Sequence, residues 1–118
     1  MLSKIQSVLI WSEDLQRLVP FYRDLLGLTP EMESDEFVIF QAASGAQLGL
    51  GRHSEVKGRS QDPYRVMVDF HVDDCQAEYE QLSKKGVEFT RKPSQDNGAV
   101  IATFKDPDGN LLQLFQMT

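Results

Sequence analysis

Between Lys4 and Trp11 the chain alternates. Val8 and Ile10 fall on one side and Ser7, Leu9 and Trp11 on the other, the pattern of a half-buried strand. Asp14 follows where an N-cap belongs, and Leu15, Leu18, Val19, Tyr22, Leu25 and Leu26 recur at helical spacing until Gly27 stops the helix. Pro20 lies inside that pattern, which predicts a kink or a helix start displaced toward it. Two strands are expected next, Glu36 to Gln41 and Ala46 to Leu50, with a turn at Ala43-Ser44-Gly45. The polar stretch from Gly51 to Pro63 has no hydrophobic period and reads as a linker.

A similar unit then returns. Val66, Val68, Phe70 and Val72 form one apolar face, with Met67, Asp69 and His71 opposite. Asp73 or Asp74 caps a second helix with Cys75, Tyr79 and Leu82 on its inner side, and Lys84-Lys85-Gly86 ends it with positive charge at the negative end of the dipole. Val87 to Thr90 reads as a short strand, Lys92 to Gly98 as a loop, and Ala99 to Lys105 as a strand. Asp106-Pro107-Asp108-Gly109-Asn110 is a turn that returns the chain into Leu111 to Gln116. The order is β-α-β-β-(β), linker, β-α-β-β-β. Repeated units this short imply two half-modules, about 1–58 and 59–118, packed as one domain over 1–118.

Bulk properties narrow the partners. Eighteen acidic against 12 basic residues give a net charge of −6, which disfavours a nucleic-acid partner and steers cations inward. Lys84-Lys85 and Arg91-Lys92 are solvated pairs rather than a phosphate-binding patch. No apolar run approaches the roughly 20 residues a bilayer span requires, and Met1-Leu2-Ser3-Lys4 begins no signal peptide, so no membrane partner and a cytoplasmic location are expected. The single cysteine, Cys75, excludes an internal disulfide. Gly45, Gly49 and Gly51 lack the spacing of a phosphate loop, and two histidines in a linker and at a strand end argue no Ser-His-Asp set.

Two segments carry a family resemblance. Asp14-Leu15 through Phe21-Tyr22-Arg23-Asp24-Leu25-Leu26-Gly27-Leu28, together with Phe104-Lys105-Asp106-Pro107-Asp108-Gly109-Asn110, make the chain similar to the vicinal oxygen chelate superfamily of glyoxalase I, bleomycin-resistance proteins and extradiol dioxygenases. The resemblance implies an α+β fold. In it, paired βαβββ modules form a curled mixed sheet cup with helices on the outside, and chains of this size form a homodimer with cups near the subunit contact.

In the metal-dependent relatives, side chains from four strands hold a divalent cation. Carried over onto this chain, those positions are Ser7, Gln47, Met67 and Gln113. A hydroxyl, two neutral amides and a thioether offer no anionic donor and no imidazole, so no metal and no cofactor are expected. A two-residue slip would bring in Asp69 or His71, the weak candidates for catalysis, and a divalent metal enters only under that alternative, a lyase or dioxygenase with displaced ligands that include His53. The expected ligand-binding residues are Ser7, Leu9, Trp11, Gln47, Met67, Asp69, Gln113 and Phe115, in a small-molecule-binding protein of the bleomycin-resistance kind. Trp11, Phe40 and Phe115 read equally as pocket lining or as core. Cys75, just after an N-cap, reads first as a small buried hydrophobe.

Overall fold

Strand β1 (Ser7–Ser12) leads into helix α1 (Leu15–Pro20), and β2 (Pro30–Glu33), β3 (Phe37–Phe40) and β4 (Gln47–Arg52) follow. The succession returns as β5 (Val68–His71), α2 (Cys75–Lys84), β6 (Phe89–Asp96), β7 (Ala99–Lys105) and β8 (Leu111–Met117). The structure is a computed structural model and describes residues 1–41 and 45–118. Contacts cluster into two compact units, Met1–Gly58 and Arg59–Thr118, each one βαβββ module. Each unit holds one mixed four-stranded sheet, in the orders β1-β4-β3-β2 and β5-β8-β7-β6. In both, the first strand runs parallel to the last and the other neighbours are antiparallel. The expected α+β class is the class observed.

The two helices start alike because aspartate caps both. Asp14 and Asp74 are extended at φ −144° and −140°, and their carboxylates accept backbone N–H groups of the first turn, Gln16 and Arg17 in one case and Ala77 in the other. They then diverge. Pro20 has no N–H to donate and its ring crowds the preceding turn, so α1 gives way to a π-helical turn over Phe21–Leu25, with the Leu26 N–H donating to the Phe21 carbonyl. Gly27, at φ +76°, ends this segment as expected, and the Leu28 N–H reaches back to the Tyr22 carbonyl. Helix α2 has no proline and runs ten residues without interruption.

Each helix covers one face of its own sheet. In the first unit Leu18, Val19 and Tyr22 are buried with Val38, Phe40, Leu48 and Leu50. In the second, Cys75 and Leu82 are buried, and Tyr79 meets Phe89 edge-on at 4.7 Å. Phe89 in turn lies 5.3 Å from Phe104, which is fully buried.

Several expected boundaries move. Strand β1 begins at Ser7 rather than Lys4, and β4 extends through Gly51 and Arg52, which take part in the ladder instead of a linker. Strand β5 begins at Val68, leaving Val66 outside it and 72% exposed. The segment 92–98, expected as a loop, is mostly strand: β6 pairs with β7 through two irregularities, between Phe89 and Arg91 and between Arg91 and Ser94, and Asn97 (φ 49°) and Gly98 (φ 81°) form the two-residue connection. The expected turn at Ala43-Ser44-Gly45 lies outside the described residues except for Gly45. Among the described residues, no helix is long and apolar enough to cross a membrane.

Candidate functional site

The face of each sheet turned away from its helix carries the candidate residues. On the first sheet the parallel register sets Ser7 beside Gln47, Leu9 beside Gly49 and Trp11 beside Gly51, with Ile39 and Phe37 completing the last two rows. Gly49 and Gly51 leave hollows that large neighbours fill. A Cβ at Gly51 would lie 2.6 Å from Trp11 Cε3 and 2.7 Å from Phe37 Cδ1, and one at Gly49 would lie 2.8 Å from both Leu9 Cδ2 and Phe37 Cζ. Trp11 and Phe37 therefore sit close on the sheet, ring centres 5.9 Å apart and tilted by 35°, and His53 meets Trp11 edge-on at 5.6 Å. His53 Nδ1 also accepts the Glu55 N–H. It is a half-buried partner of Trp11 rather than the surface linker residue its position suggests.

The polar end of this face has a partner that the pattern did not reveal. The Gln47 amide donates to Glu31 at 3.2 Å, and Gln41, with its amide nitrogen turned toward Glu31, donates at 2.8 and 3.1 Å. Glu31 is the extra residue of the irregularity between β2 and β3. Phe40 belongs to the other face, 2% exposed and stacked on Tyr22, so it is core and not pocket lining.

The second sheet's corresponding face is polar. Asp69, Gln113, Thr103 and Arg91 are register neighbours across four strands, and His71, Phe115 and Ile101 form the next row. Met67 precedes β5 and pairs with none of these strands, so Asp69 is the side chain beside Gln113. Partial burial raises the Asp69 pKa above the ordinary carboxylate value. His71 is exposed, its Nε2 3.6 Å from an Asp73 oxygen. Cys75 is buried, its N–H donates to Gln116 Oε1, and burial, then the Asp74 charge, raises its thiol pKa, which leaves it a packed apolar group rather than a thiolate.

A divalent cation requires converging carboxylate, imidazole or thiolate donors. Ser7 beside Gln47 supplies a hydroxyl and an amide, and Gln113 supplies an amide beside one carboxylate. Among the described residues no three His, Cys, Asp or Glu side chains are grouped to hold a metal ion. This donor set does not fit a divalent cation. A cavity of about 730 Å³ lies elsewhere, on the helix side of the first unit, lined by Glu13, Asp14, Glu33, Asp35, Arg23 and Arg52 among others. Its arginines are already engaged, Arg23 with Asp24 and Glu33 and Arg52 with Glu36.

Four likenesses relate the chain to known proteins. The family model described as the Glyoxalase/Bleomycin resistance protein/Dioxygenase superfamily matches residues 4–114. YraH of Bacillus subtilis (strain 168), an uncharacterized protein, is 27% identical over 128 residues, which cover 97% of this chain and 98% of that protein. A crystal structure of lactoylglutathione lyase from Agrobacterium tumefaciens superposes with a TM-score of 0.76 at 20% identity, over 97% of this chain and 93% of that one, a likeness of fold. So does a glyoxalase/bleomycin resistance protein/dioxygenase from Nocardioides, with a TM-score of 0.77 at 24% identity, over 99% and 85%.

Proposed function

Because the chain belongs to the Glyoxalase/Bleomycin resistance protein/Dioxygenase superfamily, we propose that it is a metal-free small-molecule binding protein of that superfamily. The observation that carries this reading is the chemistry at the positions where metal-dependent relatives place ligands. On one sheet Ser7 and Gln47 stand side by side, a hydroxyl and an amide; on the other Gln113 stands beside Asp69, where the resemblance gave Met67, so neither pair offers an imidazole and only the second has a carboxylate. Such groups recognise hydroxyl, amide and cationic functions by hydrogen bonding. Leu9, Trp11 and Phe115 add apolar contact, and Asp69 supplies a charge that selects a cation. Met67 lies just ahead of β5. The protein acts as a cytoplasmic homodimer that sequesters a drug or metabolite without chemistry.

Thermal-shift screening of a metabolite and drug collection with excess EDTA tests this. Binding that survives chelation and weakens in Asp69→Asn or Gln113→Ala supports it. Binding that vanishes with EDTA and returns with added Zn, Ni, Mn or Fe overturns it.

A further inference from the structure

The first sheet's face is specific enough to name a ligand class, an inference that rests on the binding role proposed above. We propose that this face binds a planar aromatic ring against Trp11, with a cationic arm running along the strands to Glu31.

Three observations converge. The hollows at Gly49 and Gly51 hold Trp11 and Phe37 against the sheet, and His53 braces the indole edge-on, so the ring is fixed before any ligand arrives. Trp11 is nevertheless 40% exposed and the adjacent Leu9 45% exposed, leaving an ordered aromatic surface open for stacking. At the other end of the face, roughly 13 Å lengthwise from Trp11 and across the sheet on β2, Glu31 is joined to the Gln47 and Gln41 amides. On β1, β3 and β4 no charged side chain stands on this face between the two ends. The two amides hold the carboxylate in place while leaving it lone pairs for a cation. A chain with net charge −6 attracts such a cation and repels an anion of the same shape.

Trp11 is the only tryptophan, so its emission reports this face directly. Three probes separate the parts of the proposal: 9-aminoacridine supplies the planar ring, quinacrine the ring with an alkylammonium arm, and cyclohexylamine an amine without aromaticity. The expected result is saturable quenching by both acridines, quinacrine binding severalfold more tightly, and none by cyclohexylamine. Glu31→Gln should erase the advantage of quinacrine and leave 9-aminoacridine unchanged. By calorimetry, Trp11→Leu should weaken both acridines roughly tenfold, whereas Trp11→Phe should retain most of the affinity. Circular dichroism verifies that each variant is folded.

Acridine binding that is indifferent to Trp11→Leu, or quinacrine binding that is indifferent to Glu31→Gln, overturns the proposal. So does a Trp11 emission that shifts with protein dilution in the absence of probe, because a second copy would then occupy the face. If other compounds bind in EDTA and depend on Asp69 while the acridines do not bind, this inference fails and the broader binding reading stands. If nothing binds under any condition, both fail.

Discussion

The two units share a scaffold and differ in what they display on it. Strand order, the parallel first and last strands, and the aspartate caps with nearly equal backbone angles are common to both. The faces opposite the helices are not: one is glycine-hollowed and aromatic, with Trp11 and Phe37 on Gly51, and the other is a polar row of Asp69, Gln113, Thr103 and Arg91. The helix side must pack and the caps must close helix ends, so those positions are constrained by folding. The opposite face is free of that constraint and can differ between the units.

The largest effect expected of a single change is in the second unit. Asp106 is 3% exposed and its carboxylate accepts the Asp108 N–H, the Asn110 N–H and the Asn110 side-chain amide at 2.8 to 2.9 Å. Asp106→Ala should cost about 3 kcal/mol in urea unfolding, because buried donors lose a charged acceptor. A cost near zero would show that the turn is not what holds β7 to β8.

Next comes the hollowed face of the first unit. Gly51→Ala should cost about 2 kcal/mol and shift Trp11 emission to the red, since neither ring can move aside without leaving the sheet. Gly49→Ala should cost less, because one of the atoms it meets is the flexible end of Leu9. Equal costs would remove the distinction between a fixed aromatic shelf and ordinary apolar packing.

The caps test what the units share. Asp14→Ala and Asp74→Ala should each cost about 1 kcal/mol, and Asp14 slightly more, as it accepts two N–H groups against one. A large inequality in guanidinium unfolding would mean that the common start of the helices hides unequal work.

The smallest effect concerns pH. The Asp69 pKa is raised in the folded protein by burial, so the folded state holds that proton longer than the unfolded chain. Stability should therefore decline as pH rises from the ordinary aspartate range through the folded pKa, and be flat above it. Asp69→Asn should abolish this shallow slope in melting temperatures taken across the acidic range, and a slope that persists would assign it to another carboxyl.

Much of this molecule could be read in its sequence, and the omissions share a cause. The strands at β1, β4, β7 and β8, both caps and the stops at Gly27 and Gly86 are written in alternation, aspartate and glycine. The segments misread are β2 and part of β6, each at one of the two ends of its sheet, where Pro30, Glu31, Glu33, Lys92 and Pro93 replace the apolar alternation that β1, at the other end, keeps. Edge strands carry charge and proline because their outer rim must not recruit another chain, and that need erases the strand signature. Asn97-Gly98 does signal the hairpin between β6 and β7.

The candidate positions came from counting along the chain, and the contacts among them come from the fold. Counting along the chain reached Ser7, Gln47 and Gln113, but the pairing of Gln113 with Asp69 rather than Met67 is a matter of register. Glu31, Phe37 and His53 join the first face only through the fold. The alternate glycines of β4 were the available clue, since a strand that omits side chains on one face leaves room for large neighbours.

Metal content tests the central claim most directly. Protein purified without a metal-binding tag and passed through elemental analysis should contain far less than one divalent ion per chain, and Gln113→Ala should leave that trace unchanged. One Zn, Ni, Mn or Fe per chain, lost on Gln113→Ala, would contradict the account.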